Sequence, residues 1–247
     1  MVGQRPLILA LDTATACCSL ALTTGTMADG GVVLASLSLN SRITHSRRLI
    51  GAIDWLFAET EVDWAMIDGI AVGLGPGSFT GLRIGMATAK GLAATAGKPL
   101  LGVSTLDVLA GNCLTRRLIC AAVDARKREV YIAFYRCDGA GLPRRVSAIQ
   151  AIDPLKLGVE ISEPVMIVGD GVLVYGDHWR RELGEKVAFA PVGLHYPSAA
   201  VLGLLGAGNL QMDRILDLET AVPLYVRASD AELSLEVKKN SPAGAAA

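Results

Sequence analysis

The sequence has no large excess of either positive or negative charge. Its 23 Lys and Arg are balanced by 24 Asp and Glu, so the formal net charge is −1. A chain without an overall basic field is not expected to be the main contact with nucleic acid. Arginine doublets such as Arg47-Arg48 and Arg180-Arg181 are scattered along the chain and are typical of solvated surface.

Paired metal ligands are also missing. The three histidines, His45, His178 and His195, are far apart, so the sequence contains neither an HxxxH nor an HExxH motif. The five cysteines include no CxxC motif, and their number is odd. At least three of them fall in apolar runs typical of strands, which predicts reduced, buried thiols in a cytoplasmic protein.

Long apolar runs are the third absence. The segment "LILAL" near the start is too short for a signal peptide, and no run is long enough for a transmembrane helix. We therefore expect a cytoplasmic protein that makes no contact with membrane. With 247 residues, 51% of them hydrophobic and 19% charged, the chain can form one large domain or two compact lobes.

Two similar series of predicted elements follow each other along the chain. "PLILALDT" predicts a buried strand ending at Asp12, and two strands, a helix, a strand and a helix follow it. The second series begins near residue 117 with a strand ending at Asp124 and its hairpin partner "EVYIAFYRC". A third strand over "RRVSAIQAI", a buried strand ending in Gly-Asp-Gly and a helix complete it. This order predicts an internal duplication and an α/β fold of two mixed sheets covered by helices.

The segment "AVGLGPGSFTGLRIGMATAKGLA", residues 71–93, carries the strongest local signal. It predicts a strand, a tight turn and a helix that ends at Gly97. It matches neither a Walker motif, since Leu82 stands at the lysine position, nor a GxGxxG fingerprint. The N-terminus of the helix could still attract an anion. Alternatively, Gly75, Gly77 and Gly81 permit positive φ in the turn, and Ser78 or Thr80 caps the helix.

Small residues recur along this predicted helix. Gly81, Gly85 and Ala89 are spaced four residues apart, and Ala87 and Gly91 form a second small pair. Such a stripe lets another backbone approach closely. Because Gly costs about 1 kcal/mol relative to Ala inside a helix, the glycines need a packing reason. The residues alone leave open whether the neighbour is this chain's own sheet or another chain.

The stretch "GPGSFTGLRIGMATAKGLA" closely resembles the signature of the TsaB (YeaZ) family of bacterial tRNA threonylcarbamoyladenosine biosynthesis proteins. Further matches are "ILALDTATACCSLAL", "HSRRL", "DARKREVY", "GDG" and "PLYVR", so the resemblance covers about residues 6–227. It implies the fold of the actin-like ATPases, with two ribonuclease-H-like lobes. The first lobe is expected over 1–105, joined by a return segment over 196–227, and the second over 106–195. The polar tail, 228–247, is expected to be disordered.

The resemblance also implies a role as the non-catalytic partner of the paralogue TsaD. TsaD, together with TsaE, transfers threonylcarbamoyl from threonylcarbamoyl-AMP to N6 of the adenosine beside the tRNA anticodon. On this interpretation the chain itself holds no cofactor, and ATP and a metal belong to the partner proteins. Contact with tRNA is expected only through the complex. A homodimer of the isolated chain is left open.

Two sets of site residues follow from the resemblance. The family dimerises through helices of the N-terminal lobe, which implies a partner interface at Gly81, Leu82, Arg83, Gly85, Met86, Ala89 and Lys90, with Arg83 and Lys90 as charges at its rim. A vestigial nucleotide cleft is expected at Asp12, Ser78, Thr80 and Asp124. No metal site is expected.

The sequence departs from the active relatives in ways that fit a non-catalytic role. His45 is followed by no second histidine, and Asp12-Thr13-Ala14 replaces the Asp-x-Gly phosphate turn of active kinases. The Asp12 and Asp124 pair nevertheless keeps an ATPase or kinase as the alternative function. A metallopeptidase is disfavoured by the missing histidine pair, and no His and acid can be assigned to Ser78 as a nucleophile.

Overall fold

Apolar runs in the first part of the chain form a five-stranded mixed sheet. The computed structural model describes residues 5–40 and 49–226. The strands of this first sheet are β1 (Leu7–Asp12), β2 (Cys17–Thr24), β3 (Val32–Asn40), β4 (Gly69–Gly73) and β5 (Leu100–Val103). Their order is β3-β2-β1-β4-β5. The first three strands pair antiparallel, whereas β4 runs parallel to β1 and β5 parallel to β4.

Helices cover both faces of this sheet. On one face, α1 (Leu49–Thr60) and α2 (Phe79–Ala96) enclose a core that includes Leu9 and Leu11 of β1. On the other face, α6 (Ala199–Gln211) packs on Ile8 and Ala10. Because both faces are buried, β1 and β4 are continuous apolar runs and do not alternate with polar residues.

The second part of the chain forms another sheet. Its strands are β6 (Leu118–Arg126), β7 (Glu129–Cys137), β8 (Pro143–Arg145), β9 (Gln150–Ile152), β10 (Val165–Val168) and β11 (Val187–Phe189). The order is β11-β10-β6-β7-β8, and β9 also pairs with β7. One face packs on α3 (Thr105–Gly111), and the other on α4 (Leu157–Glu160) and α5 (Gly171–Leu183).

The single strand predicted over "RRVSAIQAI" is wrong, because this segment forms two short strands, β8 and β9. Ser147 lies between them, and its Oγ accepts a hydrogen bond from the backbone N–H of Phe134 at 2.9 Å. A side chain thus takes the place of a carbonyl in the ladder, and regular pairing with β7 is interrupted at this point.

Both sheets have the same topology. When β8 and β9 are counted together as the third strand of the second series, the order is 3-2-1-4-5 in each sheet, with an antiparallel hairpin first and parallel neighbours on the other side. This confirms the predicted fold class, an actin-like arrangement of two ribonuclease-H-like units. The lobe limits at 105 and 195 remain a prediction. Residues 228–247 and His45 lie outside the described residues, and so does the "HSRRL" motif apart from Leu49.

The cysteines are free thiols, as the sequence predicts, and Cys17, Cys18, Cys113 and Cys120 are buried. Burial raises the pKa of Cys18 to about 12 and that of Cys113 to about 11, which keeps both thiols protonated. None of the helices within 5–40 and 49–226 is long and apolar enough to cross a membrane.

Candidate functional site

The turn between β4 and α2 is built from local signals that the sequence displays. Gly75 adopts a φ of 98°, which only glycine takes without strain. Ser78 is the N-cap, and its side chain accepts a hydrogen bond from the N–H of Gly81 at 3.3 Å. Thr80 is exposed in the first turn and does not cap the helix. Gly97 ends the helix with a φ of 63°, as predicted.

Gly77 and Gly81 serve a different purpose from the one predicted. Neither has a positive φ. A Cβ atom on Gly77 would lie 2.2 Å from the carbonyl oxygen of Ala14, and one on Gly81 would lie 2.0 Å from that of Thr13. These glycines are required because the backbone of the β1–β2 turn, residues 13–16, passes directly against the start of α2.

The β1–β2 turn is also hydrogen-bonded to α2. The N–H of Ser78 donates to the carbonyl of Ala14 at 2.6 Å, and Thr13 Oγ1 donates to the carbonyl of Gly81 at 2.8 Å. Thr13 and Ala14 are both buried. The chain therefore uses the backbone groups of this turn for its own packing, at the position where an Asp-x-Gly turn would contact phosphate.

The small-residue stripe of α2 packs inside the chain. Leu82 is 2% exposed, Met86 5% and Ala89 0%. Gly85 lies against Thr13, since a Cβ atom there would be 2.3 Å from Thr13 Oγ1. The close neighbour is thus the β1–β2 turn of this same chain. Burial excludes a direct partner contact for Gly81, Leu82, Gly85, Met86 and Ala89 on the folded surface, which corrects that part of the predicted interface.

The two predicted rim charges contact the C-terminal return segment. Lys90 Nζ donates to the carbonyls of Glu219 and Ala221 at 3.3 and 3.1 Å. The guanidinium of Arg83 lies 3.9 Å from the centre of the Phe79 ring, and its Nε is 3.4 Å from the hydroxyl of Tyr225. Both charges thereby hold residues 219–225 against α2, and whether they also meet a partner stays a prediction.

The opposite side of α2 borders an open apolar groove. Its volume is about 600 Å³, and α1, α2 and the loop that follows α1 contribute to it. The lining residues are Ile50, Trp64, Ala87, Thr88, Gly91, Leu92, Thr95 and Ala96. Sequence reasoning did not choose this face. In the sequence, this face of α2 is indicated by the second pair of small residues, Ala87 and Gly91, both of which are exposed.

Asp12, at the carboxyl end of β1, is completely buried. Its Oδ1 accepts the N–H of Ala14 at 2.9 Å, and its Oδ2 has no hydrogen-bond partner within the described part of the chain. A Cβ atom on Gly73 would lie 1.9 Å from Oδ2, so the carboxyl group packs directly on β4. Burial raises the pKa of Asp12 to about 6, and the charge of Asp170 adds to this.

Asp170, in the Gly-Asp-Gly turn after β10, is a residue that the sequence analysis missed. Its Oδ1 accepts the N–H of Asp124 at 2.9 Å, and Asp124 Oδ1 in turn accepts the N–H of Arg126 at 2.9 Å. Burial also raises the pKa of Asp170 to about 6. The signal was available, because Asp170 follows a buried strand as Asp12 and Asp124 do. These carboxylates bind backbone N–H groups of the protein itself.

Histidines and metal-binding clusters add little to this site. Among residues 5–40 and 49–226, no group of three His, Cys, Asp or Glu side chains is placed to hold a metal ion. His195 is buried, and its Nδ1 accepts the N–H of Gly169 at 3.2 Å. Burial lowers the pKa of His195, so its imidazole is neutral and supports the turn that carries Asp170.

Comparison with known proteins agrees with the geometry. The family model described as "TsaD: tRNA N6-adenosine threonylcarbamoyltransferase" matches residues 32–235. The Haemophilus influenzae protein TsaB is 37% identical over 91% of this chain and 94% of its own length. Escherichia coli TsaB is 42% identical over 55% of this chain and 57% of its own length.

A solved structure extends the likeness to three dimensions. YeaZ from Pseudomonas aeruginosa, which is 28% identical, superposes with a TM-score of 0.74 over 89% of this chain and 99% of that one. The doubled sheet order and the signature turn that leads into α2 agree with the matches to H. influenzae TsaB over 91% and to P. aeruginosa YeaZ over 89% of this chain. The chain therefore belongs to the TsaB (YeaZ) family.

Proposed function

We propose that this chain acts in the cytoplasm as a non-catalytic subunit of threonylcarbamoyladenosine biosynthesis. In this role it pairs with TsaD and supports, together with TsaE, transfer of threonylcarbamoyl from threonylcarbamoyl-AMP to N6 of the adenosine beside the tRNA anticodon. The names of the H. influenzae and E. coli relatives support the pathway, and the TsaD family match supports the partner. Requirements for ATP and for a metal then lie with the partner proteins.

The observation that carries the non-catalytic role is the β1–β2 turn held beneath α2. The carbonyl oxygens of Thr13 and Ala14 lie so close to Gly81 and Gly77 that a Cβ atom on either glycine would clash with them. The N–H of Ser78 also donates a hydrogen bond to the carbonyl of Ala14. A phosphate bound here would need the space that the two carbonyls occupy and the N–H of Ser78 that Ala14 already accepts. Asp12 is likewise turned inward onto Gly73 and is poorly placed to position a metal–nucleotide complex.

The α1–α2 groove is the surface we assign to TsaD. Ile50 is 51% exposed, and Ala87 and Gly91 leave room for the backbone of another helix to approach α2 closely. A cavity with apolar walls and small residues at its floor suits a helix that inserts large apolar side chains. We therefore place the partner interface on the exposed side of α2, opposite the buried side that contains most of the residues predicted from the sequence.

Reconstitution tests the role directly. Unmodified tRNA, threonine, bicarbonate and ATP are incubated with the enzyme that makes threonylcarbamoyl-AMP, with TsaD and with TsaE, in the presence or absence of this chain. Nucleoside mass spectrometry then measures threonylcarbamoyladenosine. We expect the modified nucleoside only when this chain and TsaD are both present. An equal rate without this chain would refute the proposal.

A groove variant separates binding from folding. At Gly91 a Cβ atom would meet nothing within 4 Å, so Gly91→Arg is tolerated by the monomer and places a charged side chain in the groove. We expect TsaD binding to weaken by more than about tenfold, as when a central interface position is blocked. Gly208→Arg is the control, because Gly208 is a helical glycine on α6 where a Cβ atom would also meet nothing within 4 Å. Equal binding by both variants would exclude the groove.

The alternative function, an ATPase or kinase, is tested on the isolated chain. Calorimetric titration with ATP and Mg²⁺ is expected to give no saturable heat. Saturable binding that is lost in an Asp12→Ala, Asp124→Ala variant would favour the alternative and would contradict the interpretation of the closed turn.

A further inference from the structure

A second cavity lies beside the second sheet, between α5 and the segment that follows β11. Its volume is about 400 Å³, which is within the range typical of sites for small molecules. Apolar side chains line much of it, among them Val172 of α5 and Pro191 and Val192 of the following segment. Val192 is 78% exposed, so the cavity is open to solvent on this side. None of its lining residues belongs to α1 or α2, and it is therefore separate from the groove assigned to TsaD.

His195 lines this cavity with a hydrogen-bond donor whose position is fixed by the fold. The residue is 2% exposed, and Nδ1 of its ring accepts the N–H of Gly169 at 3.2 Å. Because a neutral imidazole has one donor and one acceptor nitrogen, the proton of this ring is on Nε2. Nε2 has no hydrogen-bond partner among residues 5–40 and 49–226. A buried donor that lines a cavity without a partner in the protein indicates an acceptor bound in the cavity.

Arg180 brings a positive charge to the same cavity. Its guanidinium lies 5.0 Å from the centre of the Phe189 ring, and both residues line the cavity. Within the described part of the chain, no acidic side chain forms an ion pair with Arg180. A guanidinium that rests on an aromatic ring has N–H donors around its edge, and their geometry matches a carboxylate. The cavity thus combines an unpaired cation with a buried donor.

Asp177 also lines the cavity and limits the charge of the ligand that fits. It lies one turn before Arg180 on α5 and is exposed. Its carboxylate repels a second negative charge, which disfavours phosphate and other dianions. A ligand with a single negative charge needs only the donors of Arg180 and His195. The apolar walls add that the rest of the ligand is apolar.

We propose that this cavity binds a small monocarboxylate with an aromatic or branched apolar body. The carboxylate accepts hydrogen bonds from the guanidinium of Arg180 and from the Nε2–H of His195. The apolar body packs against Phe189, Val172 and Val192. This inference goes beyond the proposed function and does not depend on it, because the cavity and the α1–α2 groove share no lining residue.

His195 connects the cavity to the Gly-Asp-Gly turn after β10. Its Nδ1 holds the N–H of Gly169, and the next residue, Asp170, accepts the N–H of Asp124 at 2.9 Å. A hydrogen bond from Nε2–H to a carboxylate makes Nδ1 a stronger acceptor, because hydrogen bonds in a chain polarise one another. Binding should therefore be detectable at the amide of Gly169, although Gly169 does not line the cavity.

Titration of the isotope-labelled full chain, followed by nuclear magnetic resonance at pH 7, tests the site. Benzoate is the aromatic probe and isovalerate the branched one. Each is expected to shift the Gly169 amide and the His195 Nε2–H saturably, with a dissociation constant of about 1 mM or below. Benzamide, which has the shape of benzoate without its charge, should bind at least about tenfold more weakly. Arg180→Gln should weaken benzoate binding by a similar factor. Arg181→Gln is the matched control, because Arg181 is its exposed neighbour on α5 and does not line the cavity.

The outcomes separate this inference from the proposed function. Absence of saturable shifts with both benzoate and isovalerate would overturn it. Equal affinity for benzamide and benzoate, or equal affinity of the two arginine variants for benzoate, would also overturn it, since the charge would then have no role. Displacement of benzoate by inorganic phosphate would refute the limit to a single charge. Arg180→Gln is expected to bind TsaD as the wild type does, so none of these results bears on pairing with TsaD.

Discussion

Asp12 is an ionisable group that lies wholly inside the protein, beneath α2 and against β4. Its pKa of about 6 is above the ordinary value of 3.8, so the native state binds this proton more tightly than the unfolded state. The stabilisation that results is fully present below about pH 4 and is lost as the pH rises through about 6. At neutral pH the buried charge therefore reduces the stability of the native state.

We predict that Asp12→Asn removes this pH dependence. The free energy of unfolding of the variant minus that of the wild type should increase by about 3 kcal/mol between pH 4 and pH 7, because a shift of two pKa units corresponds to about that free energy. Urea unfolding at intervals of one pH unit measures it. Asp54→Asn on the exposed side of α1 is the control, and its curve should follow the wild type. Parallel curves for Asp12→Asn and wild type would contradict the assignment.

Substitution by alanine should change the free energy of unfolding in opposite directions at two glycines of α2. At Gly85 a new methyl group would lie 2.3 Å from Thr13 Oγ1, whereas at Gly91 it would meet nothing. Gly85→Ala is expected to lower the free energy of unfolding by about 1–3 kcal/mol. Gly91→Ala is expected to raise it by about 0.5–1 kcal/mol through helix propensity. Chemical denaturation measures both, and a neutral Gly85→Ala would show that the turn moves away easily.

At the scale of elements, α2 was predictable because its signals are local. The cap at Ser78 and the stop at Gly97 lie at the ends of the helix, and both predictions are confirmed. The buried face was not predictable, because it depends on residues 13–16, more than sixty positions earlier in the chain. The stripe of small residues indicated a close neighbour, but only the folded chain identified it as the β1–β2 turn.

Lys90 connects α2 to the return segment, and its removal should loosen that segment. We expect Lys90→Met to keep the aliphatic packing and to lose both hydrogen bonds to Glu219 and Ala221. Hydrogen exchange at the amides of Leu216 and Leu224 should accelerate about fivefold or more, which corresponds to a loss of about 1 kcal/mol. Lys98→Met removes a similar bond, to Ala65, and is the control that should leave these amides unchanged.

At the scale of the whole molecule, the duplication was visible in the sequence because each series begins with an apolar strand ending in Asp. Asp12 is the last residue of β1, as predicted, whereas β6 runs two residues beyond Asp124, to Arg126. The strand order within each sheet was not specified, since pairing is decided by contacts between distant segments. Asp170 could have been chosen from its place after a buried strand, but its contact with Asp124, 46 positions away, is visible only in the folded chain.

The proposed groove predicts the composition of the assembly. If the α1–α2 groove holds TsaD, native mass spectrometry should detect a complex of the two proteins, and Gly91→Arg should leave this chain without TsaD. A Gly91→Arg chain that still appears in complex with TsaD would refute the assignment of the groove.

The position of α6 has a consequence for synthesis on the ribosome. This helix covers the Ile8 and Ala10 face of the first sheet, yet it begins at Ala199, almost one hundred residues after β5 ends. At 5–20 residues per second, that delay is roughly 5–20 s. Within it, every strand of the second sheet emerges and can close its own core. The first lobe is thus made first and completed last, and one apolar face of its sheet stays uncovered until the chain returns.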